Sequence, residues 1–542
     1  MTAATLARPV RPAGTEVAGL EGTGQLIRLV LRRDRVRLPV WVLALVGVTL
    51  LSANAVHTAY PNQRAIDAYA DALGGSPAAV AMAGPPVALH TLPGVILYET
   101  MFTALVGVAL MSAFLVARHT RAEEEAGRTE LLRSTVAGHN AFGAAAFAVA
   151  TVASLAVGLG VALAVISASV PVGPGLLFGA EVAALGTVFA AITLAVAQVF
   201  SHTRTVLGAT LGILGIAFLV RAAGDVRGDW LVWLSPIGWS QATHPLGENR
   251  WWPLLVSLAA SSALVGVGVL LTDRRDLGAG LVESRPGPAR AGALLNGPVG
   301  LMLRLQRGSL IGWTVGVLLL AAGSGSLTQE MQDLVRNNDQ LAAYFEATGS
   351  SLVDSFLASM LLILSLGAGG FAVSAALSLH TEESSGRLEP VLATGVSRTR
   401  WMLGSLVPVA LGSAVVLAAG GLGLGIAYGA VAGDPGQAAR LTGLSLGFVP
   451  AVWLTGSVAV LLTGWLPRLA RLSWAFLALC FVVGWLGPLL RTPDWLNALS
   501  PFQHTPQVPT EPLAATPLLV MTAAALLAVG LGVTGFRHRD VA

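Results

Sequence analysis

An all-α polytopic membrane protein of about twelve transmembrane helices, arranged as two tandem six-helix modules, is the fold class this sequence predicts. Three observations carry it. Hydrophobic residues fill 54% of the chain and charged residues only 11%, where a soluble domain has about 25% charged. Apolar runs of about 18 or more residues, enough to cross roughly 30 Å of hydrocarbon as a helix, recur along the whole length. A dense polar insert occurs twice, as Arg121-Ala122-Glu123-Glu124-Glu125-Ala126-Gly127-Arg128-Thr129-Glu130 and as His380-Thr381-Glu382-Glu383-Ser384-Ser385-Gly386-Arg387-Leu388-Glu389, sharing the pattern Glu-Glu-x-x-Gly-Arg-x-Glu.

The first 24 residues lack the long apolar region of a cleavable signal peptide. Residues 25–38 place Ile27, Leu29, Val30, Leu31, Val36 and Leu38 among Arg28, Arg32, Arg33, Arg35 and Arg37, a basic amphipathic pattern suited to the membrane surface. Span 1 is expected over 38–56. A polar outer segment with Asp67 and Asp71 leads to span 2 over 94–117, and the first insert follows. Spans 3, 4 and 5 are expected over 141–167, 174–200 and 206–220. The stretch 224–253, with Trp230, Trp233, Trp239, Trp251 and Trp252 broken by Pro and Gly, reads as interfacial, because Trp is enriched at headgroup level. Span 6 is expected over 254–271. A linker rich in Arg and Pro follows.

The second half replays this order, with Arg304 and Arg307 at its entry, spans 7 and 8 over 310–323 and 352–379, and the second insert. Spans 9 to 12 are expected over 401–431, 441–466, 473–489 and 515–536. Asp229-Trp230-Leu231 and Leu234-Ser235-Pro236 return as Asp494-Trp495-Leu496 and Leu499-Ser500-Pro501, and Tyr69 corresponds to Tyr344. The expected division is a tail and connecting helix (1–37), a first module (38–272), a linker (273–300) and a second module (301–542). Six spans per module give both the same orientation. With both termini in the cytoplasm, all of the 32 Arg fall inside except Arg64, Arg221, Arg227, Arg250, Arg336, Arg440 and Arg491, as the positive-inside rule requires.

If the insert is one helix, Glu123, Gly127, Glu130 and Ser134 share a face, as do Glu382, Gly386, Glu389 and Ala393. Carboxylates would then flank a bare glycine patch that something else approaches closely. Glu124–Arg128 and Glu383–Arg387 would brace the helix as i, i+4 pairs, and Pro390 would break or restart the second copy.

The basic residues are all Arg, which excludes a Walker A loop, whose Lys must reach the phosphates. The chain is not expected to be an enzyme, and no catalytic or metal-binding residue is assigned. Cys480 is alone, so no intrachain disulfide or cysteine cluster is available. His139, His202, His244, His380 and His504 fall in predicted loops and read as surface residues rather than ligands.

With the inserts placed after the second span of each half, the chain resembles ABC-2 type transporter permeases, in particular the fused two-module permeases of actinobacterial antibiotic exporters of the tetronasin type. The resemblance covers nearly the whole chain and implies a type V exporter-like fold. It implies coupling helices carrying Glu123, Glu124, Gly127, Arg128 and Glu130, and Glu382, Glu383, Gly386, Arg387 and Glu389. A connecting helix would include Arg28 to Arg37, and re-entrant segments would lie at Leu234–Pro236 and Leu499–Pro501. The implied partners are two copies of a separate ABC ATPase subunit, the lipid bilayer and a bulky hydrophobic or amphiphilic substrate such as an antibiotic, with no nucleic acid. ATP and Mg²⁺ would be held by the ATPase subunits and no cofactor by this chain. The expected location is the plasma membrane.

By the same analogy spans 2, 5, 8 and 11 line the pathway, which nominates Met101, Phe102, Phe356 and Met360 as substrate contacts. Glu99, Glu181 and Asp354 are carboxylates inside predicted spans, costly there unless paired or wetted. They support the rival reading, a proton-coupled secondary multidrug transporter built from repeated halves. That rival leaves the paired inserts without a purpose. A membrane-embedded enzyme would need an HExxH-like constellation, and the sequence contains none.

Overall fold

The computed structural model describes residues 19–74, 76–133, 137–275, 278–282, 290, 292, 295, 297–329, 351–486 and 493–539. Among the described residues there is no strand, and 12 helices are long and apolar enough to cross a membrane. The chain divides into two compact units, Met1–Pro286 and Gly287–Ala542.

In the first unit, α1 (Thr23–Arg33) buries Leu26 and Val30 and leaves Arg28, Arg32 and Arg33 exposed, the division an interfacial helix needs. The helix stops at Asp34, and the first span, α2 (Arg37–Ala59), starts three residues on; the single helix expected over 25–38 is therefore two. Outside α2 lie α3 (Gln63–Gly74) and α4 (Pro77–Ala83). The second span, α5 (Leu92–His119), runs into α6 (Arg121–Glu125) and α7 (Arg128–Arg133). Spans α8 (Ala141–Ser167), α9 (Val172–Val199) and α10 (Thr203–Arg227) follow. A 3-10 turn (Trp230–Leu234) and α11 (Pro236–Gln241) precede the last span, α12 (Pro253–Thr272).

In the second unit, entry segment and first span form one unbroken helix, α13 (Pro298–Ser326). Next come α14 (Leu352–Ser384), α15 (Leu388–Ala393) and α16 (Arg398–Ala432). The fourth span of this unit is α17 (Gly436–Leu446) followed by α18 (Val449–Trp465). After α19 (Ser473–Phe481) and α20 (Asp494–Asn497), α21 (Ala515–His538) closes the chain. Tyr344, Arg336, Arg491, Arg285 and Ser134 lie outside the described residues.

The second and fourth spans are the central helices of the first unit, with 61% and 72% of their most apolar stretches buried, against 22% and 17% for the first and sixth. The exposed remainder is apolar, as Leu255, Leu258 and Leu270 of α12 and Leu519, Val520, Leu526 and Leu527 of α21 show. Such surface is stable only against hydrocarbon. Where α8 crosses α9, a Cβ on Gly158 would stand 2.3 Å from the Gly179 carbonyl oxygen, and one on Gly179 would stand 2.3 Å from the Gly158 carbonyl oxygen. Two glycines let these backbones touch, the small-residue contact by which helices associate in lipid.

Candidate functional site

Each insert is a helix, a left-handed glycine and a second short helix. Gly127 has φ 69° and Gly386 φ 70°, a region that costs other residues about 1–2 kcal/mol. A Cβ at either position would meet no atom within 4 Å. Left-handed backbone requires glycine at each turn, and the space beside it is open within the chain. The turn also overturns the one-helix register. Arg128 reaches Glu123 at 2.7 Å and Arg387 reaches Glu382 at 3.0 Å, both i, i+5 pairs, in place of the anticipated Glu124–Arg128 and Glu383–Arg387 pairs. The hydrogen bonds that Arg128 donates to Glu123 hold its guanidinium further above its already high range. Pro390 falls in the first turn of α15, where a missing N–H costs least.

The second glutamate of each copy turns inward to an arginine that follows the last span of its unit. Glu124 takes Arg275 at 2.6 Å and Arg121 at 2.7 Å, and Glu383 takes Arg539. Arg275 also donates to Gln198, and Arg121 donates to the carbonyls of Ala197 and Ala279. Glu123 is further paired with Arg33 of α1 at 2.6 Å. Glu123, Glu124, Glu382 and Glu383 thus bind within their own units, and Glu123 and Glu383 are buried. What each insert exposes is its tip: Arg128, Glu130 and Leu131 in the first, Arg387, Glu389 and Pro390 in the second. Sequence reasoning missed Arg121, Arg275 and Arg539. A signal existed for the last two, which lie 264 residues apart, nearly in register with Asp229 and Asp494.

The other nominated residues do not converge. Glu99 is exposed on α5 and accepts the hydroxyl of Tyr69 on α3; burial first, and then the Glu99 charge, push the Tyr69 phenol well above its ordinary range, so it remains a donor. Glu181 on α9 is fully buried, accepts from Thr243, and has its second oxygen without a hydrogen-bond partner. Asp354 lies 3.8 Å from Arg440. Met101 accepts from Gln241 and lines a small cavity with Tyr98 and His244. Phe102 meets Phe218 edge-on with ring centroids 5.6 Å apart. In the second unit Met360 packs against the hydrophobic core, and Phe356 is half-buried on the same helix, α14. Arg221, one of the Arg that the positive-inside count leaves as an exception, is buried beside Asp225 at 3.2 Å and over the Phe218 ring, so its position reflects pairing rather than exposure.

Among the described residues no group of three or more His, Cys, Asp or Glu is placed to hold a metal. A family model for the C-terminal domain of the multidrug efflux system permease Rv1217c matches residues 295–537. Over 540 residues, 98% of both chains, the sequence is 39% identical to the multidrug efflux system permease protein Rv1217c of Mycobacterium tuberculosis (strain ATCC 25618 / H37Rv). With that likeness running from end to end, the chain belongs to the family of multidrug efflux system permeases.

Proposed function

We propose that this chain is the membrane subunit of an ATP-driven ABC-2 type exporter. In this reading it moves a bulky hydrophobic or amphiphilic compound, an antibiotic or drug-like molecule, out of the cell. Two separate ATPase subunits dock on the inserts and hold the ATP and Mg²⁺, and one chain supplies both docking sites. The observation that carries this reading is the repeated clamp: in each unit one glutamate braces the glycine turn and the next ties it to the end of the last span. A tip held by charge-assisted bonds transmits a push instead of absorbing it. The Arg33–Glu123 pair extends the first clamp into α1.

The test is co-purification of the chain with its cognate ABC ATPase, comparing wild type with Glu130→Arg plus Glu389→Arg. Both positions are exposed, so the variant should fold as wild type does. Wild type should hold two ATPase subunits, and the double reversal should weaken the complex at least tenfold with matching loss of transport-coupled ATP turnover. Transport by the chain alone, following a proton gradient and indifferent to nucleotide, would overturn the reading in favour of a secondary transporter and direct mutagenesis to Glu99, Glu181 and Asp354.

A further inference from the structure

At the insert-bearing end of the first unit, α2, α5 and α10 border a half-open pocket of about 350 Å³ whose lining includes Asp34, Arg37, Trp41, Phe114, Arg118 and Leu207, within the size range of small-molecule sites. Its walls are graded. Arg37 and Trp41 are four residues apart on α2, Phe114 and Arg118 on α5, and Thr203 and Leu207 on α10. In each pair the polar residue lies nearer the insert-bearing end, and the apolar one lies about a helical turn, roughly 6 Å, deeper. Trp41 and Phe114 stack with centroids 6.3 Å apart.

At the mouth the α10 wall is capped by Glu125, which accepts from the backbone N–H and the hydroxyl of Thr203 and lies 3.1 Å from His202, while the α2 and α5 walls carry the guanidiniums. Asp34 is the pocket's carboxylate, its side chain only 1% exposed, and His119 takes one of its oxygens at 2.5 Å. The other oxygen lies 3.2 Å from Arg118 and 4.0 Å from Arg37, without hydrogen-bond geometry to either, and the buried Arg118 Nε also lacks a hydrogen-bond partner. Two guanidiniums therefore share one covered carboxylate while their side chains remain 34% and 48% exposed. A guanidinium presents forked donors suited to carboxylate and phosphate.

The second unit lacks this arrangement. Aligning Trp41 with Trp313 puts Gln306 where Asp34 stands and Ser309 where Arg37 stands; aligning the inserts puts Ser378 at His119 and Leu377 at Arg118. The structure agrees with that alignment, because Gln306 donates to Ser378 at 3.1 Å, a neutral contact in place of the Asp34–His119 pair.

We infer that this pocket is a binding site, confined to the first unit, for an amphiphile with an anionic head and an aliphatic or aromatic tail, the head on Arg37 and Arg118 and the tail between Trp41, Phe114 and Leu207. The binding does not depend on ATP-driven transport. Two sources share this chemistry, a lipophilic acid to be exported and an anionic phospholipid of the surrounding bilayer.

The probe is radiolabelled dodecyl phosphate, with dodecylphosphocholine as its zwitterionic counterpart, added to the full chain in phosphatidylcholine nanodiscs. Dodecyl phosphate should bind saturably and at least tenfold more tightly than dodecylphosphocholine. Arg37→Gln plus Arg118→Gln should abolish that preference, Arg37→Lys plus Arg118→Lys should retain part of it, and Ser378→Ala in the second unit should leave it unchanged. In phosphatidylglycerol nanodiscs, a site for bilayer lipid loses apparent affinity for the probe, whereas a site for an exported acid keeps it; either result upholds the anionic amphiphile. Equal binding of the two probes, or a preference that survives the double Gln variant in a well-folded chain, would refute the inference. Since no ATPase is present, failure here leaves the exporter reading standing, and failure of ATPase docking leaves this one standing.

Discussion

His244 joins an unusual backbone to a titratable ring: its φ is 46°, and burial first, then the Arg250 charge, lower its pKa, with Glu248 pulling the other way. The fold therefore favours the neutral imidazole. An unfolded chain takes up this proton below about pH 6.5, while the folded chain resists until a lower pH. Stability from this group is thus fully present above pH 6.5 and falls as pH drops towards the folded value, below which it changes no further. Asn tolerates left-handed backbone and does not titrate, so His244→Asn should show a shallower loss of apparent melting temperature between pH 8 and pH 5 than wild type in the same detergent. Coincident slopes would show that His244 does not contribute. At this scale the sequence exposed the inserts and concealed their pairing. Helical spacing joins Glu124 to Arg128 only while the helix continues, and Gly127 in left-handed backbone moves the arginine to Glu123. Nothing local marks Arg275 or Arg539 as the partners of Glu124 and Glu383, because those pairs exist only once the last span of each unit has returned.

Helix boundaries follow from hydropathy where a span meets water and blur where helices continue past the hydrocarbon. The third span was readable to the residue, since Asn140 on one side and Ser167 and Ser169 on the other bracket a run with few polar residues. The fifth was expected over 206–220 and extends to Arg227, because burial of Arg221 beside Asp225 lets the helix carry charge without exposing it. The break between α1 and α2 was invisible to periodicity, which sees Arg and Leu alternating straight through Asp34. Helix contacts leave a weaker trace than helix ends, and the crossing of α8 and α9 rests on Gly158 and Gly179. Gly179→Val would drive a branched side chain into the Gly158 carbonyl. It should destabilise the chain by at least ~2 kcal/mol, at the upper end of ordinary overpacking, read as a lowered apparent melting temperature. Gly173→Val is the control on the same helix: a Cβ there meets nothing within 4 Å, so the change should be small. Equal effects would point to helix propensity rather than the crossing.

Across the molecule, the two units repeat positions more faithfully than chemistry. Asp34–His119 in the first corresponds to Gln306–Ser378 in the second, a buried carboxylate–imidazole hydrogen bond against an amide–hydroxyl one. The repeated spans, inserts and Asp-Trp-Leu segments made the duplication readable, whereas this divergence was hidden because no single residue announces which partner it will meet. A buried carboxylate oxygen that loses its hydrogen-bond donor costs about 1–3 kcal/mol or more, while exchanging both partners for groups that satisfy each other is often tolerated. His119→Ser alone should therefore lower the melting temperature of the chain sharply, since Asp34 loses the donor on one oxygen and Arg118 offers the other no aligned hydrogen bond. Adding Asp34→Gln installs the pair that the second unit already uses and should recover part of the loss, the remainder being the carboxylate that Arg37 and Arg118 then lack. The double-mutant cycle over His119→Ser and Asp34→Gln should then give a favourable coupling of at least ~1 kcal/mol, as contacting residues do. Strict additivity would mean that the two positions act separately and that the correspondence between units is one of sequence alone. A recovered double variant would also keep Arg37 and Arg118 while removing the carboxylate between them, so its preference for dodecyl phosphate should rise, separating what holds the first unit together from what its pocket binds.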